Sequence, residues 1–259
     1  MTKQEIIEIK IKPVIELFSS GDIKEALLEI ENLIDDYPNQ PLLLNICGVI
    51  YQEDKKSDKA IKRFKEALKI NPNYAEAHNN LGVTLQAMGQ LEEAVKSHKE
   101  SISIQPNYTE AHNNLGVTLQ DLGQNEAAIE SYENALVSNP DYVDAHNNLG
   151  NIYKKIGRLS KAVESYNKVI LMNPDFAEAH FNLGGILNSQ GKFDAAVESF
   201  NNTIKIRPNA WGVYLSLGNT LREQGKLDKA AINYKKIIEI KPDFSEAHYK
   251  LGGVLKQLG

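Results

Sequence analysis

Apolar and small residues return along this chain with a period of 34, and each period holds two stretches of helical spacing with a glycine between them. When each repeat is numbered so that its proline is position 32, the prolines are Pro38, Pro72, Pro106, Pro140, Pro174, Pro208 and Pro242. The repeats then run 7 to 40, 41 to 74, 75 to 108, 109 to 142, 143 to 176, 177 to 210 and 211 to 244, with an incomplete one at 245 to 259. Positions 4, 7, 8 and 11, for example His78, Leu81, Gly82 and Leu85, have the i, i+3, i+4, i+7 spacing of one helix face. Positions 20, 24 and 27, such as Ala128, Tyr132 and Ala135, mark a second helix. Between the two stand Gly89, Gly123, Gly157, Gly191 and Gly225, and glycine suits the left-handed residue that ends a helix. The pattern predicts an all-α stack of antiparallel helix pairs, A and B, each pair touching only its neighbours.

The small residues show where the pairs come close. Position 8 is Gly48, Gly82, Gly116, Gly150, Gly184, Gly218 and Gly252, and position 20 is Ala26, Ala60, Ala94, Ala128, Ala162, Ala196 and Ala230. Glycine inside a helix costs about 1 kcal/mol relative to alanine, so a close approach of the two backbones is expected in return. After the later prolines come Asn73, Asn107, Asp141, Asp175, Asn209 and Asp243, expected as helix N-caps, with Glu76, Glu110, Asp144, Glu178 and Glu246 at capping-box spacing. The first repeat has Pro13 and Val14 where leucine and glycine usually stand, which predicts a kinked, divergent cap. The seventh repeat enters through Ala210, Trp211 and Gly212 and lacks the ring supplied elsewhere by Tyr74, Tyr108, Tyr142, Phe176 and Phe244; Trp211 is expected to replace it. The expected organisation is a leader and capping repeat at 1 to 40, six repeats at 41 to 244, and a partial repeat at 245 to 259. Two readings of that last part stay open: a capping helix, or the edge of a fragment of a longer protein.

These features resemble the tetratricopeptide repeat family. In the fourth repeat its pattern is carried by His112, Leu115, Gly116, Leu119, Ala128, Tyr132 and Pro140, and the resemblance runs from Ile7 to Gly259. It implies a right-handed superhelical solenoid whose A helices line a concave groove, with a protein or peptide ligand held by positions 2, 5, 6, 9, 12 and 13. Those positions hold Asn79 and Asn80, Asn113 and Asn114, Asn147 and Asn148, Asn182, and then Asn151, Asn188 and Asn219. An asparagine amide offers one acceptor oxygen and two N–H donors, matching a peptide bond. Such a ladder grips an extended backbone whatever its side chains; the competing reading is that the asparagines bond only between adjacent helices. The ladder is similar to the repeat region of protein O-linked N-acetylglucosamine transferases, which points to Asn80, Asn114, Asn148 and Asn182. It leaves as an alternative the substrate-recruiting region of a larger glycosyl-, sulfo- or methyltransferase. Lys154 and Arg222, with Lys155, Lys250 and Lys256, make the later groove positions more basic and suit an acidic stretch of a partner there. A carboxylate clamp for acidic C-termini is not expected, because position 2 is acidic and position 5 is an amide.

Charge and composition narrow the classes. The chain has 29 Lys+Arg against 34 Asp+Glu, a formal charge of −5, and so lacks the basic footprint of a nucleic-acid binder. It has no uninterrupted apolar run for a signal peptide or membrane span, and a cytoplasmic protein is expected. The single cysteine, Cys47, sits at a leucine position and is read as core. His78, His112, His146, His180 and His248 recur at position 4, with Tyr214 in the gap. Helices pack about 8 to 10 Å apart, too far for equivalent histidines to share one ion, so they are read as packing residues. No phosphate-binding loop, nucleophile elbow or zinc motif is present, and no catalytic residue, metal or cofactor is nominated. The apolar side of the last helix, with Leu251, Val254, Leu255 and Leu258, suggests self-association.

Overall fold

The structure, a computed structural model, describes residues 3 to 259, with side chains from Glu5 onward. All regular structure among the described residues is helical. The chain forms two compact bodies, one ending at Pro140 and the other spanning Asp141–Gly259. The first holds α1 (Lys3–Ser20), α2 (Ile23–Asp36), α3 (Pro41–Glu53), α4 (Ser57–Ile70), α5 (Ala75–Ala87), α6 (Leu91–Ile104), α7 (Thr109–Asp121) and α8 (Asn125–Ser138). The second holds α9 (Val143–Lys155), α10 (Leu159–Met172), α11 (Ala177–Ser189), α12 (Phe193–Ile206), α13 (Trp211–Glu223), α14 (Leu227–Ile240) and α15 (Ser245–Leu258). Odd-numbered helices are A helices and even-numbered ones are B helices. Within each body every helix packs on the next, and A helices of successive repeats also touch: α3 with α5, α5 with α7, α11 with α13.

The position-8 glycines answer to a ring, which corrects the expectation of backbone against backbone. A Cβ on Gly48 would lie 2.5 Å from the Phe64 ring, and one on Gly116 would lie 2.5 Å from the Tyr132 ring. Gly82, Gly150, Gly184 and Gly218 stand in the same relation to His98, Tyr166, Phe200 and Tyr234. Helix B therefore places its position-24 ring where a Cβ of helix A would stand, and only glycine leaves that space. The position-20 alanines beside these rings are fully buried. At Gly252 a Cβ would meet nothing within 4 Å.

The turns follow the sequence in part. Gly89, Gly123, Gly157, Gly191 and Gly225 have φ between 73° and 78°, and Lys55 takes the same role in the second repeat at φ 58°. The expected capping boxes do not form. The N-caps are Tyr74, Tyr108, Tyr142, Phe176, Ala210 and Phe244, one residue later than predicted, and none makes a side-chain cap bond. The turn is fastened from the other side: Asn71 Oδ1 accepts from the Asn73 amide at 3.1 Å, and Asn173 Oδ1 from the Asp175 amide at 3.2 Å. The position-2 carboxylates still lie in the first helical turn, where the helix dipole favours them. Helix α1 runs on through Pro13, and Val14 is buried in the first core. The Trp211 ring lies 4.7 Å from Phe244, at the far end of its own repeat, with the Lys241 ammonium 4.8 Å over the Trp211 ring. It therefore forms a new aromatic pair with Phe244.

Position 4 does more than pack. Nε2 of His78, His112, His180 and His248 lies 2.8 to 2.9 Å from the carbonyl oxygen of Pro72, Pro106, Pro174 and Pro242. A carbonyl only accepts, so Nε2 carries the proton. Tyr214 Oη donates to Pro208 O at 2.9 Å, which explains how tyrosine can replace histidine there. Cys47 is fully buried, and burial and the Glu31 carboxylate push its thiol up to about 12, so it is an inert core group. Burial works against a charged Glu31, but hydrogen bonds from Arg63 and Tyr51 hold its carboxyl below the usual value. This polar junction of α2, α3 and α4 had no signal in the repeat pattern.

Two outcomes test this packing. Gly116→Ala should cost about 1 to 3 kcal/mol through overpacking against Tyr132, whereas Gly252→Ala should be neutral or gain up to about 1 kcal/mol of helix propensity; urea denaturation with unchanged m-values reads both. His98 is fully buried, with Nδ1 3.1 Å from Asn79 Oδ1, and desolvation pushes its pKa down to about 4. As pH falls from about 6.5 to about 4 the unfolded chain takes up this proton and the folded chain does not, so stability should fall by at most about 1.4 kcal/mol per pH unit. His98→Phe, the ring used at Phe64 and Phe200, should remove that part of the acid sensitivity. An unchanged slope in the variant would contradict the buried neutral imidazole.

Candidate peptide-binding face

The A-helix pattern that buries positions 4, 7, 8 and 11 leaves positions 2, 6, 9 and 13 on another face, at steps of four, three and four residues. On α3 this stripe is Leu42, Ile46, Val49 and Glu53; on α5 it is Glu76, Asn80, Val83 and Ala87; on α7 it is Glu110, Asn114, Val117 and Asp121. All twelve side chains are half-buried or exposed. The repeat pattern gave the position-2 carboxylates a role at the helix N-terminus, and the resemblance put them on the same groove as the asparagines; the i, i+4, i+7, i+11 spacing lines them up with positions 6, 9 and 13.

Position 5 lies differently. Asn79 and Asn113 are 5% and 6% exposed, and Asn45 of the second repeat is 7% exposed. Asn79 and Asn113, expected on the groove, are turned into the stack, as is Asn45. Asn80 Nδ2 donates to Asn45 Oδ1 at 3.1 Å, and Asn114 Nδ2 to Asn79 Oδ1 at 3.1 Å. Asn79 Oδ1 also faces His98 Nδ1, and the amide bonds to Tyr108. In the pairs Asn79–Asn80 and Asn113–Asn114 the two asparagines therefore have separate parts: position 5 is buried, and position 6 is a half-buried amide tied to the position-5 amide of the preceding repeat.

In the second body the same position-6 bond uses another anchor. Asn182 Nδ2 donates to Asn151 Oδ1 at 3.2 Å, and Asn151 Oδ1 also accepts from Tyr166 Oη at 2.7 Å. Phe181 occupies the position-5 site here, and its ring lies 5.9 Å from Phe200. Lys154 Nζ donates to Asn182 Oδ1 at 2.8 Å, and Asn151 Nδ2 to Glu178 Oε1 at 3.4 Å, so these four residues form one cluster. Asn147 and Asn148 are half-buried on α9. Asn188 Oδ1 accepts from Thr220 Oγ1 at 2.8 Å, and Asn219 Oδ1 from Tyr234 Oη at 2.9 Å, which ties both to helix contacts. Arg222 is exposed at the end of α13.

The field on the first-body face is negative. Tyr108 is pushed up to about 12 by burial and then by the Glu110 and Glu76 carboxylates; Tyr74 moves the same way, by burial and Glu76. Among the described residues no cluster of His, Cys, Asp and Glu could hold a metal ion. No described helix is long and apolar enough to cross a membrane. On α15, Tyr249, Leu255 and Leu258 are exposed, whereas Val254 is buried.

Family models described as TPR repeat match residues 53–89, 118–157 and 218–259, and models described as tetratricopeptide repeat match 75–108, 143–176 and 177–210, with a further match at 99–130. No curated protein matches the chain. Among solved structures it is similar to MamA, at 30% identity over 62% of this chain and 94% of that one, with a TM-score of 0.58. It is also similar to YrrB, a TPR protein with an unusual peptide-binding site, at 22% identity over 72% of this chain and 96% of that one, TM-score 0.62. A chain of the APC/C hetero-tetramer Cut9–Hcn1 aligns at 17% identity and TM-score 0.69 over 93% of this chain, which spans about half, 48%, of that longer one. The last two likenesses speak to the fold alone. Stacked helix pairs, rings seated on position-8 glycines and the family matches agree: the chain belongs to the tetratricopeptide repeat family.

Proposed function

We propose that this protein is an interaction scaffold that holds extended polypeptide on its A-helix faces, gripping the backbone through the position-6 amides Asn80, Asn114, Asn148 and Asn182. The observation that carries this reading is the tether. Asn80 and Asn114 each spend one N–H on the amide of the preceding repeat, at 3.1 Å in both cases. Neither Oδ1 accepts a hydrogen bond from another described residue. An amide fixed in this way offers an acceptor and a second N–H, the complement of a backbone N–H and C=O. Fixing it beforehand lowers the ordering cost of binding. Asn182 is tethered likewise, with Lys154 on its oxygen, so a ligand there meets an ammonium as well as an amide. The described peptide-binding site of the structurally similar YrrB agrees with this use of the fold.

The test is selection of a displayed library of random 12-residue peptides on the chain, then affinity measurements on a variant with Asn80→Ala, Asn114→Ala, Asn148→Ala and Asn182→Ala. Each substitution also removes an inter-repeat bond worth about 1 kcal/mol, so circular dichroism must first show both proteins helical, and Asn80→Ala and Asn114→Ala are measured singly as well. Selected peptides should bind the fourfold variant at least about tenfold more weakly, with part of the loss in each single variant. Equal affinity for both proteins would overturn the reading.

A further inference from the structure

Three A helices of the first body, α3, α5 and α7, carry charge of one sign, whereas α1 carries Lys10 and Lys12 as well as glutamates. Helices α3, α5 and α7 contain no lysine or arginine, and their charged residues are Glu53, Glu76, Glu110 and Asp121. The cations of this body lie elsewhere, and α4 alone has Lys59, Lys62, Arg63, Lys65 and Lys69. Ion pairs of this body include Arg63 with Glu31 and Glu66, Lys62 with Glu66, and Lys56 with Asp54, on α2, α4 and the turn before α4. None of the four A-helix carboxylates meets a cation among the described residues, and all four are exposed. Asp121 Oδ2 accepts from Gln86 Nε2 of the neighbouring A helix at 2.7 Å, which holds it on the face between α5 and α7. Its negative charge stays uncompensated.

We infer that the α3–α5–α7 face takes an extended polypeptide segment bearing lysine or arginine side chains, with the backbone on Asn80 and Asn114 and the cations on Glu76, Glu110 and Asp121. This rests on the reading of the asparagines as backbone ligands and adds the chemistry of the partner. The order along each stripe supports it: a carboxylate at position 2, the tethered amide at position 6, then Val83 or Val117 at position 9, half-buried. Basic side chains have apolar stems as well as charged heads, so a stripe that holds both a valine and a carboxylate suits both parts, and on α7 Val117 stands one helical turn from Asp121. The dimensions agree. Neighbouring helices about 8 to 10 Å apart put three A helices across roughly 20 Å, which about six residues of extended chain at roughly 3.3 Å each would span. Side chains pointing to one side recur every second residue, about 7 Å apart. Long basic side chains can close the difference from the helix spacing.

The experiment uses three fluorescein-labelled 12-residue peptides on an Ala/Ser background, with lysine, glutamine or glutamate at the same four positions, and reads fluorescence polarisation on the full chain. Two variants accompany it: Glu76→Gln with Glu110→Gln and Asp121→Asn on the face, and Glu92→Gln with Glu93→Gln and Glu100→Gln on α6, an equal change of charge elsewhere. The lysine peptide should bind about tenfold or more tightly than the glutamine peptide at low ionic strength, the gap narrowing as salt screens it, and the glutamate peptide should bind most weakly. The face variant should erase the gap and the α6 variant should keep it. Equal binding of lysine and glutamine peptides would overturn the basic preference and leave the backbone reading standing. Equal weakening by both variants would mean that net charge alone attracts the peptide, which also overturns the inference. Binding of none of the three would overturn the inference and the backbone reading together.

Discussion

The contact on which the helix pairs depend is an aromatic or imidazole ring lying on a glycine of the facing helix. It recurs from Gly48 with Phe64 to Gly218 with Tyr234. Each contact sets how closely helix B approaches helix A, and so which A-helix residues are left for other work. Once positions 4, 7, 8 and 11 are committed to packing, the stripe at 2, 6, 9 and 13 is the remaining continuous face. Two rings also reach that side of the helix, where Tyr166 and Tyr234 donate to Asn151 and Asn219, while His98 faces the buried Asn79 that accepts from Asn114. The amides of the face are thereby fixed by the same side chains that build the core.

Much of this was legible in the sequence because the repeat states it many times. Seven prolines in register gave the frame, and the position-15 glycines have the left-handed backbone expected of them. The cap positions were misread for a physical reason. Asn73 and its equivalents have cap chemistry, but Tyr74 and its equivalents must fill the gap between repeats, and Tyr74 packs with Leu44, Ala67 and Ala77. The helix therefore starts one residue later, and the polar residue is left in the turn. The double role of position 4 was invisible for a related reason. Its partner is a backbone carbonyl, which every sequence has, so only the recurrence of histidine or tyrosine hinted at a donor.

The asparagine pairs show most clearly where sequence reading stops. Adjacent residues on a helix point about 100° apart, so Asn79 and Asn80 cannot serve the same surface, yet their chemistry is identical. Only the neighbouring helices decide that Asn79 goes inward and Asn80 remains at the surface. Asn182 makes the point from the other side: the residue 35 before it is Asn147, the same chemistry as Asn45 and Asn79, yet its amide donates to Asn151 instead. The charge asymmetry needed no structure to count, but it gained meaning only when the carboxylates, the tethered amides and the valines proved to share one stripe.

The central claim, that Asn80 and Asn114 are fixed amides presented to a ligand, is tested most directly by their side-chain NH₂ resonances in a nitrogen-15 correlation spectrum, recorded free and during titration with the lysine peptide. In the free protein the account predicts one slowly exchanging proton on each amide, the one donated to Asn45 or Asn79. On titration it predicts shifts at these two groups and at the neighbouring Glu76 and Glu110 backbone amides. Two rapidly exchanging protons on each amide, or shifts confined to α4, α6 and α8 with Asn80 and Asn114 unmoved, would contradict it.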